Sequence, residues 1–199
     1  VFLGSTVCKE VSWVDGDNRG GSFQAVRMLG SLGHMRIATI TGEPGLVSTQ
    51  KRLDGYYDGL AAVGITRDPA LVWPGDFTRQ GGYNAVVSHL SQVEDGGVTA
   101  IFACNDLMAI GAIQAITEAG LKIPAQVSVM GFDGIEVGKY LSPPLTTVQQ
   151  PVFRLGQEVA GVLLDQIQKN QGPVQITLPV SIVNDTNTTG PVPKRGVGL

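Results

Sequence analysis

Aromatic side chains are scarce in this 199-residue chain, at 6%, and histidine and cysteine occur twice each. Each shortage narrows the functions open to it. Cys8 and Cys104 have no CxxC spacing, and Cys104 closes an apolar run of strand length, so both are expected as free thiols in a reducing compartment. His34 and His89 fall near the ends of predicted helices, where histidine is ordinarily a helix-end or surface residue rather than a ligand or base. Basic clusters are missing too. Lys and Arg number 14 against 17 Asp and Glu, net −3, and the nearest approach to a patch is Lys194-Arg195, so nothing offers a surface to nucleic acid. No apolar run approaches the ~18 residues of a bilayer span, and no charged-then-apolar leader opens the chain. No membrane partner is expected, and a cytoplasmic location is the default.

Catalytic signatures are equally absent: there is no P-loop, GxGxxG, GxSxG or HExxH. Asp15, Asp17 and Gly20 faintly suggest a calcium loop, but Arg19 occupies a ligand position and Val26 stands where the bidentate Glu belongs. No catalytic residue, metal site or cofactor is expected.

What is present is apolar and periodic. At 43% apolar the chain buries a real core, as one large or two small domains. Its clearest unit runs from Val98 to Gly134. Val98–Cys104 reads as a strand covered on both faces, Asn105 or Asp106 caps a largely apolar helix to about Ala119, Gly120 stops it, and Val127–Phe132 is a second strand. Crossover-linked strands run parallel, so Asn105, Asp106, Asp133 and Gly134 reach the same sheet edge, where ligands of open α/β sheets bind.

Before this unit, Val1–Gly4 is a short apolar strand without a polar lead, as in a chain cut from a longer one. Asp17 or Asn18 caps a helix ending near Gly33, and residues 36–41 form a strand. Ser48 caps a helix to about Val63 that carries Arg52. Leu71–Trp73 is a short strand before GDFT and a helix over 79–90. By spacing alone Arg52 is as consistent with a solvated surface as with a site, and Phe77 with a core plug as with an aromatic platform. After the unit, Pro151 opens a helix whose buried stripe is Val152, Leu155, Val159, Leu163 and Ile167. A strand over 175–183 is broken by Pro179, which implies an edge or a change of partner. The tail from Asn184, rich in Thr, Gly and Pro, is expected to fray. Strict alternation of strand and helix argues a parallel sheet flanked by helices.

Taken in order, LGHMRIATITG (32–42), RLDGYYDGLAAVGI (52–65), GDFT (75–78), FACNDLMAIGA (102–112), VSVMGFDG (127–134) and PPLTTVQQP (143–151) resemble the effector-binding core of the lac/galactose repressor family. The resemblance covers nearly the whole chain. It implies an α/β, periplasmic-binding-protein-like fold of two parallel-sheet subdomains with three crossovers, near Gly33, at Gln149–Pro151 and at Pro179. Residues 1–33 and 151–178 would form an incomplete N-terminal subdomain, 34–150 and 179–190 the C-terminal one, and 191–199 a tail. Carried over by motif, the ligand-binding positions are Ser48, Arg52, Phe77, Asn105, Asp133 and Gln150. Arg52 offers a fork of donors, Asp133 an acceptor for paired hydroxyls and Phe77 a face to stack on. The implied partner is a small effector, a sugar, sugar phosphate or nucleoside-like molecule, bound by a homodimer. DNA would be reached only through an N-terminal domain absent from these residues. Gly134 replaces a second acid, Cys104 a usual Ala, and Gly20 an Asp that the lac repressor turns toward sugar, so effector identity stays open. The alternatives are a periplasmic sugar-binding protein of a transport system and, by fold analogy alone, an enzyme on the same scaffold.

Overall fold

The computed structural model describes residues 1–169, 172–184 and 186–193; Lys194-Arg195 and the end of the expected tail lie outside the described residues. In chain order the elements are β1 (Phe2–Leu3), β2 (Trp13–Gly16), α1 (Asn18–Ser31), β3 (Ile37–Ile40), α2 (Val47–Ala62), β4 (Val72–Trp73), α3 (Arg79–Ser88), α4 (Leu90–Glu94), β5 (Ala100–Ala103) and α5 (Asp106–Glu118). They continue with β6 (Ser128–Asp133), β7 (Thr146–Gln149), α6 (Val152–Lys169), β8 (Gln175–Leu178) and β9 (Ser181–Val183).

Two sheets result. One has the order β4-β3-β5-β6-β7-β9, the other β1-β2-β8, and every pairing is parallel except β7 with β9. This is the two-sheet α/β fold that the family resemblance implied. The apolar runs of β3 and β5 are buried throughout, as strands covered on both faces must be. Because β3 leads outward to β4 while β4 leads back to β5, right-handed crossovers place α1 and α2 on one face of the large sheet and α3 and α5 on the other. The order reverses between β3 and β5. A crevice at the carboxyl ends of those strands is the geometric consequence.

Chain passage between the sheets differs from expectation at one point. The second and third passages fall at Gln150-Pro151 and at Pro179-Val180, where β8 ends in the small sheet and β9 begins in the large one. The first falls after Gly16 rather than near Gly33: α1 contributes Ala25, Val26 and Leu29 to the large core, whereas β1 and β2 pair in the small sheet. Gly55 and Gly59 of α2 are the reason. A Cβ at either would press on the α1 backbone, at Arg19 and Phe23 respectively, so their bareness lets the two helices seat together.

The small core is Val14, Leu155 and Leu178 with Val159, Val162 and Ile176 beside them. Of the stripe expected on α6 only Leu155 is buried, whereas Val152, Leu163 and Ile167 face outward. The segment after Asn184 is not frayed where it is described. Thr188 trades hydrogen bonds with Val129 and Thr146, Gly190 with Ser128 and His34, and Val192 N–H reaches Leu32 O at 3.0 Å. Its hydroxyls and amides continue the ladder of β6 beyond the start of β7, which composition alone does not reveal. Among the described residues no helix is long and apolar enough to cross a membrane.

Candidate functional site

Arg52 reaches the carboxyl ends of β5 and β6, at Cys104 and Asp133. It lies one turn and a half into α2, only 5% exposed, with its guanidinium 3.8 Å from the centroid of Phe132 and 5.9 Å from that of Phe77. Its Nε donates to Asn18 Oδ1 at 2.7 Å, one terminal nitrogen donates to the Cys104 carbonyl, and the other reaches Asp133 Oδ1 at 3.0 Å. A guanidinium has five N–H groups, so two remain without a partner among the described residues. Asp133 Oδ1 also accepts from Gln150 Nε2 at 2.9 Å, while among the described residues no donor reaches its Oδ2. The Asp133 side chain is 28% exposed.

Backbone geometry supports this arrangement at some cost. Asp133 and Phe77 adopt φ of 113° and 65°, a region L residues avoid, at on the order of 1–3 kcal/mol each. Phe77 is held there by Asn105, whose Nδ2 donates to the Phe77 carbonyl at 2.9 Å, and by Gly42, where any Cβ would overlap the Phe77 ring. Asn105 is also the cap of α5, its Oδ1 accepting from Met108 N at 2.9 Å. Ser48 stands apart from this bonded set, half-buried one turn before Arg52; α2 starts at Val47, with Leu46 at the cap position and no capping side chain. A cavity of about 250 Å³ opens between Asp15 and Gln150, walled by Leu3, Gly4, Val152 and Leu155. A separate cavity of about 320 Å³, lined by Gly33, Met35, Thr99 and Val192 among others, sits at the amino-terminal ends of the strands, away from these side chains.

The periplasmic binding protein-like domain family matches residues 26–184. The regulator CelR of Thermobifida fusca is 39% identical over 179 residues, 90% of this chain and 51% of that one, and the repressor CytR of Escherichia coli is 38% identical over 159, or 80% and 46%. Among solved structures, a CelR complex with cellobiose aligns with TM-score 0.85 and 38% identity, covering 92% of this chain and 55% of that one. A LacI family regulator from Enterococcus faecium with bound ribose aligns with TM-score 0.85 and 33% identity, covering 94% and 69%. The chain belongs to the LacI family. It spans about half the length of the curated relatives it matches.

Two features of this LacI-family domain were misread or missed in the sequence. Asp106 is not a cap. It is fully buried, accepting from Thr147 Oγ1 at 2.5 Å and from Ile135 N at 2.8 Å, and so ties the ends of β5, β6 and β7 together behind Asp133. Burial pushes its carboxyl up to about 6 against those two hydrogen bonds, and nearby Asp133 adds to the rise. Asn18, which is bonded to Arg52, and Asp15, which is bonded to Asn18, went unnoticed, because DGDN reads as helix-capping sequence. The available signal was their place at the carboxyl end of β2, Asp15 within the strand and Asn18 just past it, the same rule that singled out Asn105 and Asp133. Elsewhere, Cys8 is exposed and Cys104 buried, both free, and burial pushes the Cys104 thiol up to about 11. His34 is buried between Thr99 Oγ1 and Gly190 O, each at 2.9 Å. The carbonyl can only accept, so Nε2 carries the proton of a neutral ring whose pKa burial lowers.

Proposed function

We infer that this chain is the effector-sensing part of a bacterial transcriptional regulator, binding a small sugar-like molecule in the crevice between its two sheets. Arg52, Phe77, Asn105, Asp133 and Gln150 contact the ligand in this reading, with Ser48 at the rim. The observation that carries it is the open Oδ2 of Asp133 beside two spare N–H groups of Arg52 and the ring of Phe77. Such a set receives a hydroxylated ring: a carboxylate oxygen accepts from a hydroxyl, a guanidinium donates to its neighbour, and an aromatic face covers the apolar side. Relatives with cellobiose and ribose bound favour a sugar, and relatives that are regulators favour sensing over transport or turnover.

Ligand seated between the sheets stabilises whichever relative orientation closes on it, so it shifts a conformational equilibrium by the difference in its affinity for the two states. DNA contact belongs to a part of the regulator outside these residues, and the protein works as a cytoplasmic homodimer without catalysis. Calorimetric titration against neutral sugars, sugar phosphates and nucleosides tests the reading. One saturable site for a hydroxylated ligand, unchanged on recovery, is expected; no binder in any class, or a ligand that is turned over, would sink it.

A further inference from the structure

Arg52 is steered from the small sheet. Asn18, 2% exposed at the start of α1, accepts at Oδ1 from Arg52 Nε, while its Nδ2 donates to Asp15 Oδ2 at 2.8 Å and to Gly16 O at 3.1 Å. With two acceptors facing the nitrogen and a donor facing the oxygen, the amide has only one satisfactory orientation. Asp15 belongs to β2, and its Oδ2 also receives Ser5 Oγ at 2.7 Å and Ser5 N at 3.1 Å. A continuous hydrogen-bonded line therefore runs from Ser5 through Asp15, Asn18, Arg52 and Asp133 to Gln150, from the small sheet across to the large one.

Resting on the sensing function above, we propose that Asn18 is a positioning residue: it touches no ligand but fixes the plane of the Arg52 guanidinium and makes that plane depend on where Asp15 and the small sheet stand. The residue type follows from the chemistry of its neighbours. The amide accepts from the guanidinium while giving two protons, to Asp15 Oδ2 and to Gly16 O, and a hydroxyl has only one to give; an Asp at 18 would set like charges against Asp15, and an apolar residue would leave Asp15 and Arg52 Nε each short of a partner. Arg52 held this way presents its remaining N–H groups without first losing rotational freedom, and a shift of β2 relative to the large sheet turns them.

The test uses the 199-residue chain with cellobiose and ribose as probes, and reads the Arg52 Nε–H signal by nuclear magnetic resonance with no ligand present. In the unsubstituted chain that proton should exchange slowly. Asn18→Ala should abolish its protection and weaken the bound probe by about tenfold. Arg52→Lys has no Nε–H, so adding Asn18→Ala to it should cost nothing further. Asn18→Asp, which keeps an oxygen for Nε, should retain the protected proton even if Asn18→Ala does not fold. An Nε–H equally protected in Asn18→Ala, exposed in Asn18→Asp, or strictly additive losses in the double variant would overturn the proposal. If neither sugar binds, the sensing function fails for those sugars while the Nε–H signal still decides the role of Asn18.

Discussion

Arg52 has three of its five N–H groups engaged by protein before any ligand arrives. Its removal therefore acts twice. Arg52→Ala should cost on the order of 2–4 kcal/mol of effector binding through a lost charge-assisted bond, and about 3 kcal/mol of stability because Asn18 Oδ1 and the Cys104 carbonyl are left buried without a donor. Asp133→Ala should lose as much affinity and less stability, since its carboxylate is partly exposed. Phe77→Ala should cost roughly 1–2 kcal/mol of binding, the value of stacking area alone. Calorimetry and melting of each variant check these, and unchanged affinity in both charge variants would remove the site. Asp106 makes a pH prediction. Its carboxyl holds a proton to about 6 in the fold against an ordinary 3.8, so between those values the folded chain binds more protons than the unfolded one and stability falls as pH rises. The full effect is about 3 kcal/mol, complete above pH ~6. Melting temperatures of Asp106→Asn should lose that downward slope, whatever the loss of the Ile135 bond does to their level.

Helix contacts set the next scale. Gly82 and Gly111 let α3 and α5 touch backbone to backbone; a Cβ at Gly111 would overlap the Arg79 carbonyl, and one at Gly82 the Met108 carbonyl. Gly111→Ala should destabilise by about 2–3 kcal/mol because neither neighbour is a flexible side-chain end. Gly161, inside α6 with nothing near its Cβ position, gives the opposite sign: Gly161→Ala should stabilise by about 0.5–1 kcal/mol through helix propensity. Chemical denaturation of both distinguishes packing from propensity. The segment that extends β6 gives a further case. Thr188 Oγ1 donates to Val129 O at 2.7 Å and accepts from Thr146 N at 2.8 Å, so Thr188→Val should cost about 1–3 kcal/mol despite keeping its shape. A loss below the error of the measurement would show that this segment adds nothing to the sheet.

Across the whole molecule the two sheets are unequally covered. The large one has helices on both faces, whereas Phe153 at 80% exposure, Ile167 at 71% and Phe2 at 56% mark an apolar surface over α6 and β1. Large apolar side chains left uncovered in this way favour association. Sedimentation of the chain should show mass rising with concentration, and Phe153→Glu with Ile167→Glu should lower it; a concentration-independent monomer would count against the prediction. The chain alone should also show no sequence-selective, salt-sensitive retention of duplex DNA, given a net charge of −3.

Alternation of strand and helix, the partner change at Pro179 and the rim formed by Asn105 and Asp133 were legible in the sequence, because hydrophobic period and proline chemistry act over a few residues. The motif resemblance added Arg52 and Gln150, which the structure brings into one bonded group with Asp133. Tertiary structure alone decided that α1 belongs to the large core, that Asp106 is a buried tie and Asn105 the cap, and that Asn18 stands against Arg52. Each of those depends on which surfaces meet across long sequence separations: a capping-type polar residue looks the same in sequence whether its oxygen meets its own helix or a guanidinium 34 residues away. Local chemistry determined the elements, and the close approach of backbones at bare glycines determined which of them share a core.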